Sequence, residues 1–302
     1  MVEQRYALLV RRAAIGAMIV AVTLILMKLY AWLVTHSNAM LATSTDSLLD
    51  LSASLVNFFM LKIALSPPDH DHKFGHGKAE SLTGLAQSAF VLGSAILLVL
   101  HGIDATLSPT AIEQSNVAVV VSILSVIITS LLVAFQYYVV KHTQSTAIKA
   151  DALHYQSDIA MNIGVLVSLL LSSSLYPEVD GIFTIAVGVW LMVGAAQIAK
   201  QSVDDLMDKE LPQEQHNRIL AIAKGVKMVK GVHDLRTRQS GGTAFIQLHL
   251  ELDDQLPLIN AHEIGDQVEL RILDYLPHAE VLVHLDPLSV VSTKRDPITF
   301  RD

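Results

Sequence analysis

The chain is predicted to be a polytopic α-helical membrane domain with six transmembrane helices, followed by a small cytoplasmic α+β domain of order αββαβ. Three observations predict this. Six apolar windows of about 20 residues, the length a hydrocarbon core requires, occupy the chain up to about Ala199. Two of those windows carry carboxylates and a histidine, groups too costly in lipid to stand there without a partner. From about Lys200 the composition changes to that of a water-soluble domain.

The windows are, in order, Ala13 to Val34, Met40 to Leu65, Ser81 to His101, Val117 to Val140, Ile148 to Leu171 and Gly181 to Ala199. The polar start with Arg5, Arg11 and Arg12 could imitate a signal peptide. The apolar segment after it is too long and lacks a small-residue cleavage site, so it is read as a retained first span. Lys28 and Lys62, near the ends of the first two windows, must snorkel or pair. Lys and Arg precede span one, and they lie between spans two and three (Lys73, Lys78) and around the connection of spans four and five (Lys141, Lys149). The alternate connections contain none, which places both termini in the cytoplasm.

In the soluble part, Gln213 to Val226 has helical apolar spacing after a Leu211-Pro212 start. Gly231 to Arg238 and Thr243 to Leu252 read as a hairpin turning at Gly241-Gly242, with Ile246, Leu248, Leu250 and Leu252 on one face. Asn260 to Tyr275 reads as a helix and Glu280 to Asp286 as a last strand, giving two helices over one sheet face. The expected divisions are a membrane domain over 1–208, a metal-binding α+β domain over 209–290 and a frayed tail over 291–302.

The 302 residues are 52% hydrophobic, which excludes a disordered chain. With no cysteine, disulfides and thiolate sites are excluded, so any metal must be held by histidine and carboxylate. A formal charge of −8 argues against nucleic acid as a partner.

Asp46 and Asp50 are spaced i, i+4 on the second window, and His154 and Asp158 repeat that spacing on the fifth. Two such pairs supply four convergent nitrogen and oxygen ligands, which suits a tetrahedral divalent ion, zinc above all. The plain alternative has Asp46 and Asp50 near the interface, paired with Lys28 or water. The loop from Pro67 to Lys78 is dense in potential ligands, with Asp69, His72 and His76 in a D-x-x-H-x-x-x-H spacing. Three ligands would leave an open position and a weaker site; the alternative is a solvated polar loop. In the tail, His284 and Asp286 share a strand face, His249 lies opposite Leu248 and Leu250, and His233 and His262 are near enough to join them. Singly, each reads as a surface histidine, and His216 and His278 are expected to be solvated.

Asp46-Ser-Leu-Leu-Asp50, the loop Phe74-Gly-His-Gly-Lys-Ala-Glu80, His154-Tyr-Gln-Ser-Asp158 and the tail stretch His233 to Ser240 resemble signatures of the cation diffusion facilitators. The resemblance covers nearly the whole chain. It implies a homodimeric zinc/proton antiporter of the bacterial inner membrane, with Asp46, Asp50, His154 and Asp158 as its transport site. It also implies a loop site of Asp69, His72 and His76, and a paired zinc site in a metallochaperone-like domain from His233, His249, His262, His284 and Asp286. A salt bridge of Lys78 with Asp208 at the dimer interface is implied too. Aspartate at 46 and histidine at 154 go, in that family, with zinc and cadmium rather than manganese.

Two competitors stand against an antiporter. An intramembrane metalloenzyme would keep an open coordination position, usually with three protein ligands, and no H-E-x-x-H is present. A passive channel would conduct metal regardless of a pH gradient. Nitrogen and oxygen ligands accept zinc, cadmium and iron alike.

Overall fold

The computed structural model describes residues 2–35, 38–107, 116–171 and 179–293. The chain forms two compact units, residues 4–203 and residues 204–302 with the first three. Residues 294–302, most of the expected frayed tail, lie outside the described residues.

The first unit is built from α1 (Val2–Thr35), α2 (Asn38–Ala64), α3 (Lys78–Leu107), α4 (Asn116–Thr143), α5 (Thr146–Leu171) and α6 (Val179–Leu206), one helix for each apolar window. Among the described residues, α1, α3, α4 and α6 are long and apolar enough to cross a membrane. The other two, α2 and α5, carry Asp50, His154 and Asp158.

The outside of the helical bundle is apolar, unlike that of a water-soluble one. Leu8, Ile19, Leu26 and Leu33 of α1, Leu97 and Leu100 of α3 and Leu131 of α4 are all more than half exposed on its outside. Such a surface would aggregate in water and is matched to acyl chains. The interior combines large apolar side chains such as Leu61, Ile148 and Leu191 with small and polar groups. On α1 these are Ala13, Ala14, Ala17, Ala21 and Ala31, at helical spacing, and elsewhere Ser47, Ser54, Asn57, Ser88, Thr129 and Gln136 are buried. Lys28 reaches the Ser47 hydroxyl at 2.6 Å, so the first window's lysine is paired across α1 and α2.

The central strut is α5. Every residue from Ala150 to Tyr155 is buried, because α2, α3 and α4 pack around it. The Tyr155 hydroxyl, on its fully buried side chain, donates to the Ala17 carbonyl at 3.1 Å and lies 2.8 Å from the Ser54 hydroxyl, tying α5 to α1 and α2. Glycines bring α3 and α6 together: a Cβ at Gly102 would sit 2.9 Å from the Gly181 carbonyl oxygen, and one at Gly181 would sit 2.6 Å from the Gly102 carbonyl. Side chains at either position would force the helices apart.

The second unit contains α7 (Gln213–Lys224), β1 (Gly231–Ser240), β2 (Thr243–Leu252), α8 (Leu258–Tyr275), β3 (Ala279–Pro287) and the short α9 (Leu288–Thr293). The expected αββαβ order is present. Sheet order is β1-β2-β3, with β1 antiparallel and β3 parallel to β2. The hairpin turns at Gly241, whose φ of 55° is open to glycine without strain. Ile246, Leu248, Leu250 and Leu252 face a core completed by Ile219 and Ala223 of α7 and Ile264, Val268 and Ile272 of α8. Both helices therefore cover one face of the sheet.

Candidate metal sites

The i, i+4 spacing stacks His154 and Asp158 on one face of α5, while Asp50 stands on α2. The contact of α2 with α5 then joins them. His154 Nε2 lies 3.2 Å from Asp50 Oδ1, and one ligand atom from each of Asp50, His154 and Asp158 falls within 4.8 Å of the others. Zinc bound tetrahedrally at about 2.0–2.1 Å holds its donor atoms roughly 3.3 Å apart, so the closest pair is already at coordination spacing. His154 Nε2 is buried beside that carboxylate without a well-formed hydrogen bond to it. Phe90 packs edge-on to the imidazole at 5.9 Å and Tyr155 lies against it at 5.5 Å, restricting ring rotation. The side chain of Asp46, the remaining expected ligand, lies outside the described residues.

In the loop after α2, the Asp69 carboxylate accepts the backbone N–H groups of His72 at 2.7 Å and Asp71 at 2.9 Å. Those bonds, that from His72 foremost, hold its carboxyl below the usual carboxylate range although it is exposed. Gly75 (φ 75°) turns the chain back, its N–H bonded to the His72 carbonyl at 3.0 Å. Asp69 Oδ1 lies 3.3 Å from His72 Nδ1 and its Oδ2 3.3 Å from His76 Nε2. The three residues group within 4.8 Å, so the loop spacing read from sequence does converge.

In the second unit the strand register builds a row. His233 pairs with His249 across β1 and β2, and His249 pairs with His284 across β2 and β3. The rings follow at centroid distances of 5.1 and 4.5 Å. Asp286 stands over this row: its Oδ2 is 2.7 Å from His249 Nδ1 and 3.5 Å from His233 Nε2, and its Oδ1 is 3.2 Å from His284 Nε2. One carboxylate thus faces three imidazoles. His284 is 62% exposed while Asp286 is 17% exposed, so the row opens to solvent at β3. His262 stands on α8 with its Nδ1 3.5 Å from Asp266, and the metal-sized group found among the described residues is His233, His249 and Asp286.

Sequence reasoning missed two carboxylates here. Glu251 lies 3.1 Å from His233 Nδ1. It is i+2 from His249, so strand alternation could have found it. Asp234 reaches 3.7 Å from His249 Nε2 because β1 bulges between His233 and Arg236, with Asp234 at φ 47°. No periodicity announces a bulge. Asp208 lies 3.3 Å from Arg238 within its own unit, and Arg238 also sits over the Phe245 ring at 4.8 Å. His216 and His278, expected to be solvated, are partly buried, with His216 Nδ1 3.2 Å from Glu210.

Comparison with known proteins gives three findings. Residues 14–207 match the family described as cation efflux transmembrane domain, and residues 211–288 match that described as cation efflux protein, cytoplasmic domain. The chain is 46% identical over 289 residues to the cation-efflux pump FieF of Escherichia fergusonii and 47% identical over 289 residues to that of Shigella flexneri, covering 96% of each partner in both cases. A solved MamM-CTD chain is similar at 26% identity with a TM-score of 0.24, covering 25% of this chain and 96% of that one.

Proposed function

From the premise that the chain belongs to the cation efflux family, and is a multi-pass cation efflux transporter with a cytoplasmic domain rather than an enzyme, we propose that it exports zinc from the bacterial cytoplasm across the inner membrane in exchange for protons. Cadmium is an alternative cargo. The observation that carries this reading is the approach of His154 to Asp50 at 3.2 Å, with Asp158 beside them, inside apolar helices. Asp46 is the fourth ligand of this site. Buried groups of this kind persist in lipid when a cation neutralises them.

Zinc requires His154 neutral and the carboxylates ionised, so arriving metal displaces protons and arriving protons displace metal. A site that holds one or the other, opened alternately to each side, couples an inward proton gradient to outward zinc. Both termini lie in the cytoplasm, and the protein acts as a homodimer, with Lys78 pairing Asp208 at its interface. The membrane domain spans 1–208 and the cytoplasmic metal-binding domain 209–290. His233, His249, His284 and Asp286, with His262 at the margin, hold zinc that stabilises one dimer arrangement. Asp69, His72 and His76 form a weaker loop site.

The test is zinc flux in reconstituted vesicles under imposed pH gradients. Flux accelerated by an opposing proton gradient and abolished by Asp50→Ala is expected. Zinc flux indifferent to the pH gradient, or undiminished in Asp50→Ala, overturns the proposal.

A further inference from the structure

Three residues before His154 on α5, one turn of helix away, Asp151 is wholly buried. No role falls to it in the site above. Its Oδ1 accepts the side-chain N–H of Gln87 on α3 at 3.0 Å, and its Oδ2 accepts that of Gln136 on α4 at 2.6 Å. Asn57 of α2 approaches the same carboxylate without completing a hydrogen bond of good geometry. Both oxygens are within hydrogen-bond reach of an amide group, an arrangement that can hold the carboxyl in its ionised form. Once ionised, it would place a negative charge in the middle of the bundle between two amides of zero net charge.

A buried charge with only neutral partners demands a positive one nearby. Asp151 cannot ligate the cargo itself, since each oxygen is engaged by an amide and it stands apart from the cluster of Asp50, His154 and Asp158. It stands one helical turn from His154 in a stretch of α5 buried from Ala150 to Tyr155, so the field of an ionised Asp151 reaches the site through the protein interior. The two glutamines come from different helices and fix the carboxylate in place, so it pays no reorientation cost when a cation arrives.

We propose that Asp151 is the fixed counter-charge of the transport site, raising its affinity for divalent cations through space without touching them. This rests on the reading of Asp50, His154 and Asp158 as the transport site. A field acts on charge alone, so its loss weakens zinc and cadmium equally, whereas a disturbed ligand geometry would weaken them unequally.

The test uses the full-length protein with Asp69, His249 and Asp286 replaced by alanine, leaving the membrane site as the one measured. Equilibrium binding of zinc and of cadmium is followed in detergent. Asp151→Asn should weaken both ions by the same factor, about ten- to hundredfold. The exchange Asp151→Asn with Gln136→Glu returns a carboxylate and an amide to the same pocket and should restore both affinities to within about threefold. Unchanged affinity in folded Asp151→Asn, unequal losses for the two ions, or a folded exchange variant that stays weak would each overturn the inference. If Asp151→Asn alone does not fold, the exchange variant decides by its affinity. Adding Asp50→Ala to the same background should abolish binding; should binding survive that change, it is the transport-site assignment that fails, independently of Asp151.

Discussion

The membrane cluster and the histidine row of the cytoplasmic domain are made of the same two ligand types, and they differ in what holds them. Asp50, His154 and Asp158 sit on two helices packed inside a bundle whose outside is apolar, with a second buried carboxylate one turn away. His233, His249, His284 and Asp286 sit on the uncovered face of a three-stranded sheet, and the row ends at a mostly exposed histidine. On the proposed function, the set that must let its ion go on every cycle is shared between two separate helices, α2 and α5. A set placed on a hydrogen-bonded sheet has its spacing fixed by strand register. On the proposed function, the same chemistry serves passage in one unit and retention in the other.

The sharpest way to break that comparison is to remove a ligand from the buried set. His154→Ala leaves acids in the bundle without their imidazole, a loss of about 3–5 kcal/mol, or more than about a hundredfold in zinc affinity. Vesicle flux should vanish while the isolated second unit still binds zinc by calorimetry. A slightly smaller effect should follow from emptying the core beneath the sheet. Ile246 and Ile272 are fully buried, and Ile272→Ala should destabilise the second unit by about 2–5 kcal/mol. Denaturant unfolding followed by circular dichroism measures it, and zinc binding at the row should fall with the fold because the register that builds it is lost.

Asp286→Asn is gentler. It keeps the shape but weakens charge-assisted contacts to three imidazoles, with an expected loss of about 1.5–3 kcal/mol in zinc binding at the row. Export from vesicles should continue. If export stops with the membrane site still binding zinc, the row is part of the transport path and the contrast drawn here is wrong. The smallest effect belongs to the loop. Asp69 has a lowered carboxyl pKa from the His72 and Asp71 N–H groups. Its contribution to loop order is thus complete above the ordinary carboxylate range of about 4 and is lost only as pH falls through the lower folded value. Amide exchange at His72 should stay slow through mild acid, and Asp69→Asn should speed it at neutral pH.

Much of this was legible in the sequence for a stated reason. The six long helices follow the six apolar windows because lipid demands a length and an unbroken backbone ladder, and both leave a mark in the local sequence. His154 and Asp158 fall on one face because helical period is fixed, and the loop ligands converge because their spacing spans a single Gly75 turn. The domain order after Lys200 followed from alternation at Ile246 to Leu252 and helical spacing in α7 and α8. Glu251 and Asp234 were missed. The first was overlooked alternation and the second a bulge, which inserts a residue without a sequence period.

What the sequence determined by itself is whatever a single helix or strand enforces: the long helices, the placing of His154 and Asp158 on one face, the inward face of β2. What tertiary structure alone decided is which elements meet. Gln87 and Gln136 are 64 and 15 residues from Asp151, and nothing local announces that all three share one junction. His233, His249 and His284 form a row only because three strands pair in one register, one antiparallel and one parallel. Periodicity is a property of one backbone; contact between backbones is set by the packing of all of them at once.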